Sequence, residues 1–276
     1  RQAWITHIYD EQYPTPYGQA DGVFENYLWV SNQRAHELML EGVTPPETSR
    51  PDLNPYWEMI DAQLTTEIFG LFAPAHPSLA LELAKMPIQT TARGEAALAA
   101  EFYVVMHALA LSPSLKKMKR KDALFSMAEQ ARALLPEGSY TAGMFDFVKA
   151  DYDRGIQWEQ ARDRLYERYQ IQQADGYDMT SRNLYCNGCF AAGINFGASL
   201  ISLFYGEGDF KNTVKIGTLA GWDSDNPTAT WAGLLGFMLG KVELEKIFGR
   251  QLSSEYYIHR TRKGFGNNGF DNFSAM

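Results

Sequence analysis

Apolar residues recur every three or four positions along most of this chain of 276 residues. That interval is the spacing of one face of an α-helix. The stretch NPYWEMIDAQLTTEIFGLF contains one such face, formed by Trp57, Ile60, Leu64 and Ile68. Asn54 and Pro55 precede it and are typical of a helix N-cap and first turn. No segment alternates cleanly with a period of two, so the pattern favours helices over strands.

Further helices are predicted wherever the same interval returns between short linkers of turn residues. One of them carries the stripe Trp158, Ala161, Leu165 and Tyr169. The others cover residues 22–41, 77–86, 94–111, 121–135, 139–152, 188–205, 209–220 and 227–240. We therefore predict an all-α fold, a single compact orthogonal multi-helix domain of about ten helices. The domain is expected to span residues 1–255, and the C-terminal tail 256–276, which lacks periodicity, to lie loosely over the surface.

Two predicted helices are rich in glycine, which predicts close contacts between helices. They are CFAAGINFGASL (189–200) and WAGLLGFMLG (231–240). In the second, the glycines at 233, 236 and 240 lie near one side, where we expect a neighbouring backbone to approach.

The balance of charge limits the partners. Lys and Arg number 25 against 33 Asp and Glu, a formal net charge of −8. An acidic chain repels phosphate backbones, so no nucleic-acid partner is expected. No run of about 20 apolar residues occurs, which predicts no transmembrane helix and no membrane partner. No signal peptide is visible, and a chain that begins at Arg1 leaves the compartment and the oligomeric state open.

The two cysteines, Cys186 and Cys189, lie three positions apart in YCNGC. Two cysteines cannot form a disulfide framework or a four-ligand zinc site. Two interpretations are open: a pair of small buried residues at a helix start, or a local disulfide.

Two carboxylates stand close together in GWDSDNPT, at Asp223 and Asp225. Pro227 suits the first turn of the next helix and Asn226 its N-cap, so the aspartates are predicted to lie in an extended segment before it. Residues two apart in an extended segment face the same way. Two converging carboxylates repel each other, so either a cation such as Mg²⁺ lies between them or one of them holds a proton. The alternative is that one aspartate caps the helix and interacts with its dipole.

The run GDFKNTVKIGTLAGWDSDNPTATWAGLLGFMLG resembles the C-terminal signature of the ADP-ribosylglycohydrolase family, where a helix ends in Gly-x-Asp-(Ser/Thr)-Asp and a helix rich in small residues follows. The resemblance extends over roughly residues 25 to 250 and includes SNQRAHELMLEGVTPPETS, NPYWEMIDAQLTTEIFGLFAP and IQTTARGEAALAAEFYVVMHALA. It implies an all-α fold with two Mg²⁺ ions in a cleft. It also implies hydrolysis at C1 of the terminal ribose, which releases ADP-ribose from an ADP-ribose-containing small molecule or a modified protein.

The resemblance also assigns residues. Asp223 and Asp225 fall on the family's C-terminal metal ligands and are the expected catalytic residues. Asn226 stands where the family usually has Ser or Thr, and its amide oxygen is the expected third ligand. Trp222 and Ser224 are expected to bind substrate, with Trp222 stacking on the adenine or walling the ribose.

Other positions depart from the family pattern. Thr91 and Arg93 stand in TTARG where the family often has Thr-His. Both are expected to bind substrate, with the Arg93 guanidinium on a phosphate, and a surface salt bridge is the alternative for Arg93. The family's early Thr-Asp-Asp-type motif is missing, since no Asp-Asp pair occurs in the sequence. One metal site is thus expected to be incomplete. Three explanations are open: the motif was cut off upstream of Arg1, it lies on a separate piece, or this relative lacks it.

Asp61 and Gln63 lie beside the apolar stripe of their predicted helix, and we expect buried hydrogen-bonding roles for them rather than catalysis. Two functional hypotheses follow. The first is a Mg²⁺-dependent ADP-ribosylglycohydrolase-like hydrolase that cleaves an N- or O-glycosidic bond. The second is an inactive ADP-ribose-binding or structural relative that has kept the fold.

Overall fold

The computed structural model describes residues 1–9, 26–183, 185–259 and 261–275. Helices dominate this part of the chain and pack on one another, which confirms the all-α prediction. The helices are α1 (Gln2–His7), α2 (Val30–Leu40), α3 (Asp61–Thr66), α4 (Ile68–Phe72), α5 (Pro77–Thr91), α6 (Gly94–Leu109), α7 (Arg120–Arg132), α8 (Tyr140–Asp153), α9 (Trp158–Leu165), α10 (Tyr185–Gly188), α11 (Ala192–Gly206), α12 (Phe210–Ala220), α13 (Asp225–Leu239) and α14 (Lys241–Phe248). The first residues of the predicted segment 22–41 lie outside the described residues.

The helix predicted to begin at Pro55 is wrong in its start and its buried face. The segment 54–60 forms turns, and the helix begins only at Asp61. The cause is a tertiary backbone pairing: Ala192 N donates to Glu58 O at 2.9 Å and Ile60 N to Phe190 O at 3.0 Å. Because the Ile60 amide donates to Phe190 O, it is not available for a hydrogen bond within a helix that starts at Pro55.

The same change of register exposes part of the predicted apolar stripe. Leu64 is 41% exposed and Ile68 49% exposed, whereas Ile60 is buried. The stripe predicted on residues 158–169 behaves as expected, since Ala161, Leu165 and Tyr169 are all buried there.

Helix α11 is the centre of the core. It packs against α6, α8, α9, α12 and α13, and its residues are buried along nearly its whole length. Edge-to-face aromatic contacts surround it, including Phe102 on Phe196 and Phe145 on Phe204, with ring centroids 5.0 and 5.5 Å apart. The start of α11 is therefore a fixed point against which the neighbouring turns are placed.

Close packing at glycine is confirmed for α11 and wrong for α13. Within the predicted stretch, a Cβ at Gly197 would lie 2.9 Å from two carbons of the Leu165 side chain, so α9 packs closely on α11 there. Beyond the stretch, a Cβ at Gly206 would lie 2.7 Å from Thr213 Cα of α12. In α13, a Cβ at Gly233 or Gly240 would meet nothing within 4 Å, and one at Gly236 would meet only the Leu244 side chain. The glycine side of α13 faces open space or the short α14 rather than a neighbouring helix backbone.

The C-terminal residues include a small antiparallel sheet. Strand β1 (Glu255–Tyr257) pairs with β2 (Phe270–Asn272), so the predicted boundary between residues 255 and 256 falls inside β1. Lys263 N donates to His7 O at 2.9 Å, which ties this region to the end of α1. Within the described part of the chain, no helix has both the length and the apolar character that crossing a bilayer requires.

These glycine environments give a paired stability test. A Cβ at Gly70 in α4 would collide with the backbone of α6 at Val104 and Ala108. We expect Gly70→Ala to lower the free energy of unfolding by about 1–3 kcal/mol through overpacking. Gly233→Ala lies on an exposed face of α13 and should raise it by up to about 1 kcal/mol. Urea unfolding of both variants measures this, and equal effects would contradict the packing described.

Candidate functional site

The aspartate motif forms a tight turn between α12 and α13. Gly221 has φ 103° and Trp222 φ 53°, both in the left-handed region, so the chain reverses as soon as α12 ends. Ser224 is the N-cap residue, and Asn226 N donates to Asp223 O at 3.1 Å. The turn thus places Asp223 just before α13 and Asp225 at its first residue.

Two details of the prediction are wrong. The segment is a turn rather than extended, and α13 begins at Asp225 rather than near Pro227, with Asn226 inside the first turn instead of at the N-cap. Pro227 is tolerated there because the first amides of a helix have no partner within it. Because proline is accepted at several positions of the first turn, Pro227 did not fix where α13 begins, and the predicted start was two residues too late.

The turn still brings the two carboxylates together. Asp223 is half-buried and Asp225 exposed, and their side chains are within hydrogen-bonding reach of each other. Burial, then the hydrogen bond and charge of Asp225, and finally the charge of Asp61 raise the pKa of Asp223 to about 7. The pair is therefore suited to share a proton or a cation.

Asp61, at the start of α3, is a third carboxylate near this turn. It is 3% exposed, and its Oδ1 accepts a hydrogen bond from Asn32 N at 2.9 Å, in keeping with the predicted buried role. Burial raises its pKa to about 6. Sequence reasoning missed its proximity to Asp223, because α3 and α13 are far apart in the chain.

Glu67, between α3 and α4, is a further carboxylate, and it contacts Thr230 in the second turn of α13. Its carboxyl is hydrogen-bonded by Thr230, and burial raises its pKa to about 7. Among the residues that the structure describes, no Lys, Arg or His forms an ion pair with Asp61, Glu67, Asp223 or Asp225. The negative charge is therefore not balanced by the described side chains.

Asn195, one turn into α11, holds the aspartate turn in place. It is fully buried, and its Oδ1 accepts a hydrogen bond from Asp223 N at 3.1 Å. Its Nδ2 donates to Cys189 O at 2.7 Å and to Ala191 O at 2.9 Å. Sequence reasoning missed this residue, although an amide within the otherwise apolar and small-residue helix AGINFGASLISLFYG was an available signal.

The two cysteines form a disulfide, which confirms the second of the two interpretations. Cys186 is exposed and Cys189 half-buried, so the alternative of a buried pair is wrong. The disulfide closes a loop directly before α11 and next to Asn195.

Trp222 and Ser224 flank Asp223 within the turn. The Trp222 Nε1 donates to Gln170 Oε1, and its ring packs against the main core while staying partly accessible. The backbone oxygen of Ser224 accepts a hydrogen bond from Thr228 Oγ1 at 2.8 Å. Both side chains are half-buried beside the carboxylates.

Thr91 and Arg93 lie at the junction of α5 and α6. Thr91 is buried, and its hydroxyl has no hydrogen-bond partner among the described residues. Arg93 donates from Nε to Ser49 Oγ at 3.1 Å and from Nη2 to Pro46 O at 2.7 Å, and it lies 3.7 Å from the Glu47 carboxylate. These contacts anchor its guanidinium to the turn before residue 50.

The donor set around the turn fits part of a Mg²⁺ site. Asp223 and Asp225 offer carboxylate oxygens, the ligands that Mg²⁺ prefers. Asn226 is 1% exposed, and neither atom of its amide has a partner among the described residues, which leaves its oxygen free for a ligand. Within the same described part, no three His, Cys, Asp or Glu side chains come close enough together to hold a metal ion. The set is thus a partial coordination sphere.

Comparison with known proteins agrees with the all-α fold. The sequence model of the ADP-ribosylglycohydrolase family matches residues 3–260, so the chain belongs to that family and is glycohydrolase-like. No curated protein and no solved structure matches the chain.

The raised pKa of Asp223 predicts a dependence of stability on pH. Its ordinary value is 3.8, so the folded protein holds the proton more tightly than the unfolded chain, and stability falls as the pH rises from about 4 to about 7. Asp223→Asn should then raise stability at pH 8 by about 1–2 kcal/mol, a range discounted for partial exposure, and by clearly less at pH 5, where only part of the loss has developed.

Urea unfolding with a chelator present measures this. Asp122→Asn is the control, since it removes an exposed charge from the first turn of α7 and should not stabilise at pH 8. An equal increase in the free energy of unfolding at both pH values for Asp223→Asn would contradict the raised pKa of Asp223.

Proposed function

We propose that this chain is a Mg²⁺-dependent ADP-ribosylglycohydrolase-like hydrolase that cleaves the N- or O-glycosidic bond between ADP-ribose and its acceptor. The observation that carries the proposal is the pairing of Asp223 with Asp225 beside the unpartnered, buried amide of Asn226, with no balancing cationic side chain among the described residues. Family membership supports the class of reaction.

Each residue of the turn has a proposed role. Asp223 and Asp225 hold the metal through carboxylate oxygens, and Asn226 adds its amide oxygen. Bound Mg²⁺ supplies Lewis acidity that orients a water and the ribose hydroxyls and stabilises the charge that develops at the scissile bond. Without a cation, Asp223 and Asp225 share a proton between their carboxyl oxygens, which the pKa of about 7 at Asp223 supports.

Substrate binding is proposed for Trp222 and Ser224, which flank Asp223, and for Thr91 and Arg93 at the junction of α5 and α6. Trp222, with its indole nitrogen fixed by Gln170, offers its ring to the adenine or the ribose. Ser224 offers a hydroxyl at the start of α13. Thr91 and Arg93 are proposed to meet the diphosphate, with the Arg93 guanidinium held in one orientation by Ser49 and Pro46.

A second function is ADP-ribose binding without catalysis. The incomplete ligand set favours it, because in the described residues no further His, Cys, Asp or Glu, Asp61 included, lies close enough to Asp223 and Asp225 to complete a group of three metal ligands. The two functions differ in whether glycosidic bonds are cut, so the tests below separate them.

The first test is Mg²⁺ binding. Isothermal titration of this chain should show weak binding, because the described ligands surround the ion only in part. Asp223→Ala and Asp225→Ala should each abolish what binding there is. Asp209→Asn at the N-cap of α12 is the matched control, since it changes a carboxylate at a neighbouring helix start that lies outside the pair. Tight binding that survives both alanine variants would refute the assignment.

The second test is release of ADP-ribose from Arg-linked, Ser-linked and O-acetyl-linked substrates, with and without chelator. This chain should turn over slowly, because a loosely held metal misplaces the water, and such errors cost roughly 100-fold per ångström. A longer form that carries an upstream acidic motif should be Mg²⁺-dependent, and Asp225→Asn should remove most of its rate without loss of helical content. A longer form that binds ADP-ribose but is inert on all three substrates would favour the binding function. Rapid turnover by this chain would contradict the view that its ligand set is partial.

A further inference from the structure

The side-chain amide of Asn195 forms hydrogen bonds with the backbone at three positions. Its Nδ2 donates to Cys189 O and Ala191 O, in the segment before α11, and its Oδ1 accepts from Asp223 N. The side chain is fully buried, so water does not compete for these hydrogen bonds. The position of the Asp223 amide is thereby linked to the position of the Cys189 carbonyl.

The disulfide constrains that carbonyl. It closes the loop from Cys186 to Cys189, in which Cys186 has φ 29° and Gly188 φ 80°. Glycine adopts a positive φ freely, whereas a residue with a Cβ does so only when its surroundings hold it there. The covalent bond supplies that restraint at Cys186.

The rest of the α11 start is held independently of the disulfide. Ala192 N donates to Glu58 O and Ile60 N to Phe190 O, so residues 190–192 are fixed by the segment 58–60. The Ala191 carbonyl, the second acceptor of Asn195, belongs to this fixed part. Opening the disulfide removes the covalent restraint on the Cys189 carbonyl, while the beginning of α11 stays in place and the hydrogen bond from Ala191 N to Gly188 O at 2.8 Å remains.

We propose that Asn195 is a positioning residue that couples the Cys186–Cys189 disulfide to the turn of Asp223, so that reduction of the cysteine pair loosens Asp223. The positioning role of Asn195 rests only on its hydrogen bonds to Cys189, Ala191 and Asp223. Its consequence, weaker metal binding in the reduced protein, rests on the proposed function. The device gives the site a redox-sensitive element.

The chemistry requires a thiol reductant. A dithiol attacks the exposed Cys186–Cys189 bond through its thiolate, and the mixed disulfide resolves as the second thiol attacks. The protein gains two thiols, and the reductant becomes a cyclic disulfide, so electrons and protons balance. No metal and no substrate takes part.

The test is amide hydrogen exchange of the ¹⁵N-labelled protein, oxidised and after dithiothreitol, with each state verified by intact mass. The Asp223 amide should exchange about fivefold faster after reduction, the factor that corresponds to the net strength of one hydrogen bond. The Asn212 amide is the internal control: it also donates to a side-chain oxygen, Asp209 Oδ1 at 2.8 Å, but lies beyond the far end of α11 and should not change. The double variant Cys186→Ser/Cys189→Ser should match the reduced protein.

A second variant tests the route. In Asn195→Ala, the Asp223 amide should exchange fast in both redox states, with no further change on reduction. Undiminished protection of Asp223 in fully reduced wild-type protein would overturn the proposal, even if Asn195→Ala failed to fold. An effect of reduction that persists at full size in a folded Asn195→Ala would overturn the role of Asn195. Because exchange needs neither Mg²⁺ nor substrate, an inactive protein that shows the predicted exchange would refute the proposed function alone.

Discussion

The backbone pairing of residues 58–60 with residues 190–192 sets the geometry on which the site depends. It stops the helix that the sequence favours from Pro55 and delays its start to Asp61. It also fixes the beginning of α11, the most buried helix, so that Asn195 faces the turn after α12. Two hydrogen bonds between distant segments thus bring the start of α3, the start of α11 and the aspartate turn to one place.

Acidic side chains gather at that place at a cost to stability. Asp61, Glu67 and Asp223 all have pKa values raised mainly by burial, to about 6, 7 and 7. A buried carboxylate is normally paired with a base, and in the described residues these three are not. Raised pKa values that cluster around one turn are typical of a functional site.

The spacing of apolar residues predicted the helices well where the residues that contact the core recur every three or four positions. The stripe Ala161, Leu165 and Tyr169 is buried as its spacing indicates. Prediction failed where tertiary contacts override it: Leu64 and Ile68 are exposed, and the buried residues of α3 are instead Asp61, Ala62, Gln63 and Thr66. The pairing of Asp223 with Asp225 was predictable from their spacing, although the segment is a turn. Asp61 and Asn195 were not predictable as neighbours of Asp223, because only the fold brings α3 and α11 to it.

Interaction with the helix dipole alone does not account for two carboxylates at the start of α13, because their mutual repulsion is larger. A negative charge near a helix N-terminus gains about 0.3–1 kcal/mol from the dipole. Two unit charges about 4 Å apart repel by about 4 kcal/mol at an effective dielectric constant of 20. The dipole is therefore too weak to hold Asp223 and Asp225 together when both are ionised, and Asp61 adds to the repulsion. A proton held by Asp223 relieves it below about pH 7, and under the proposed function bound Mg²⁺ would relieve it above that pH. The described side chains do not supply such a positive charge, which supports the proposal of a cation at the Asp-x-Asp pair.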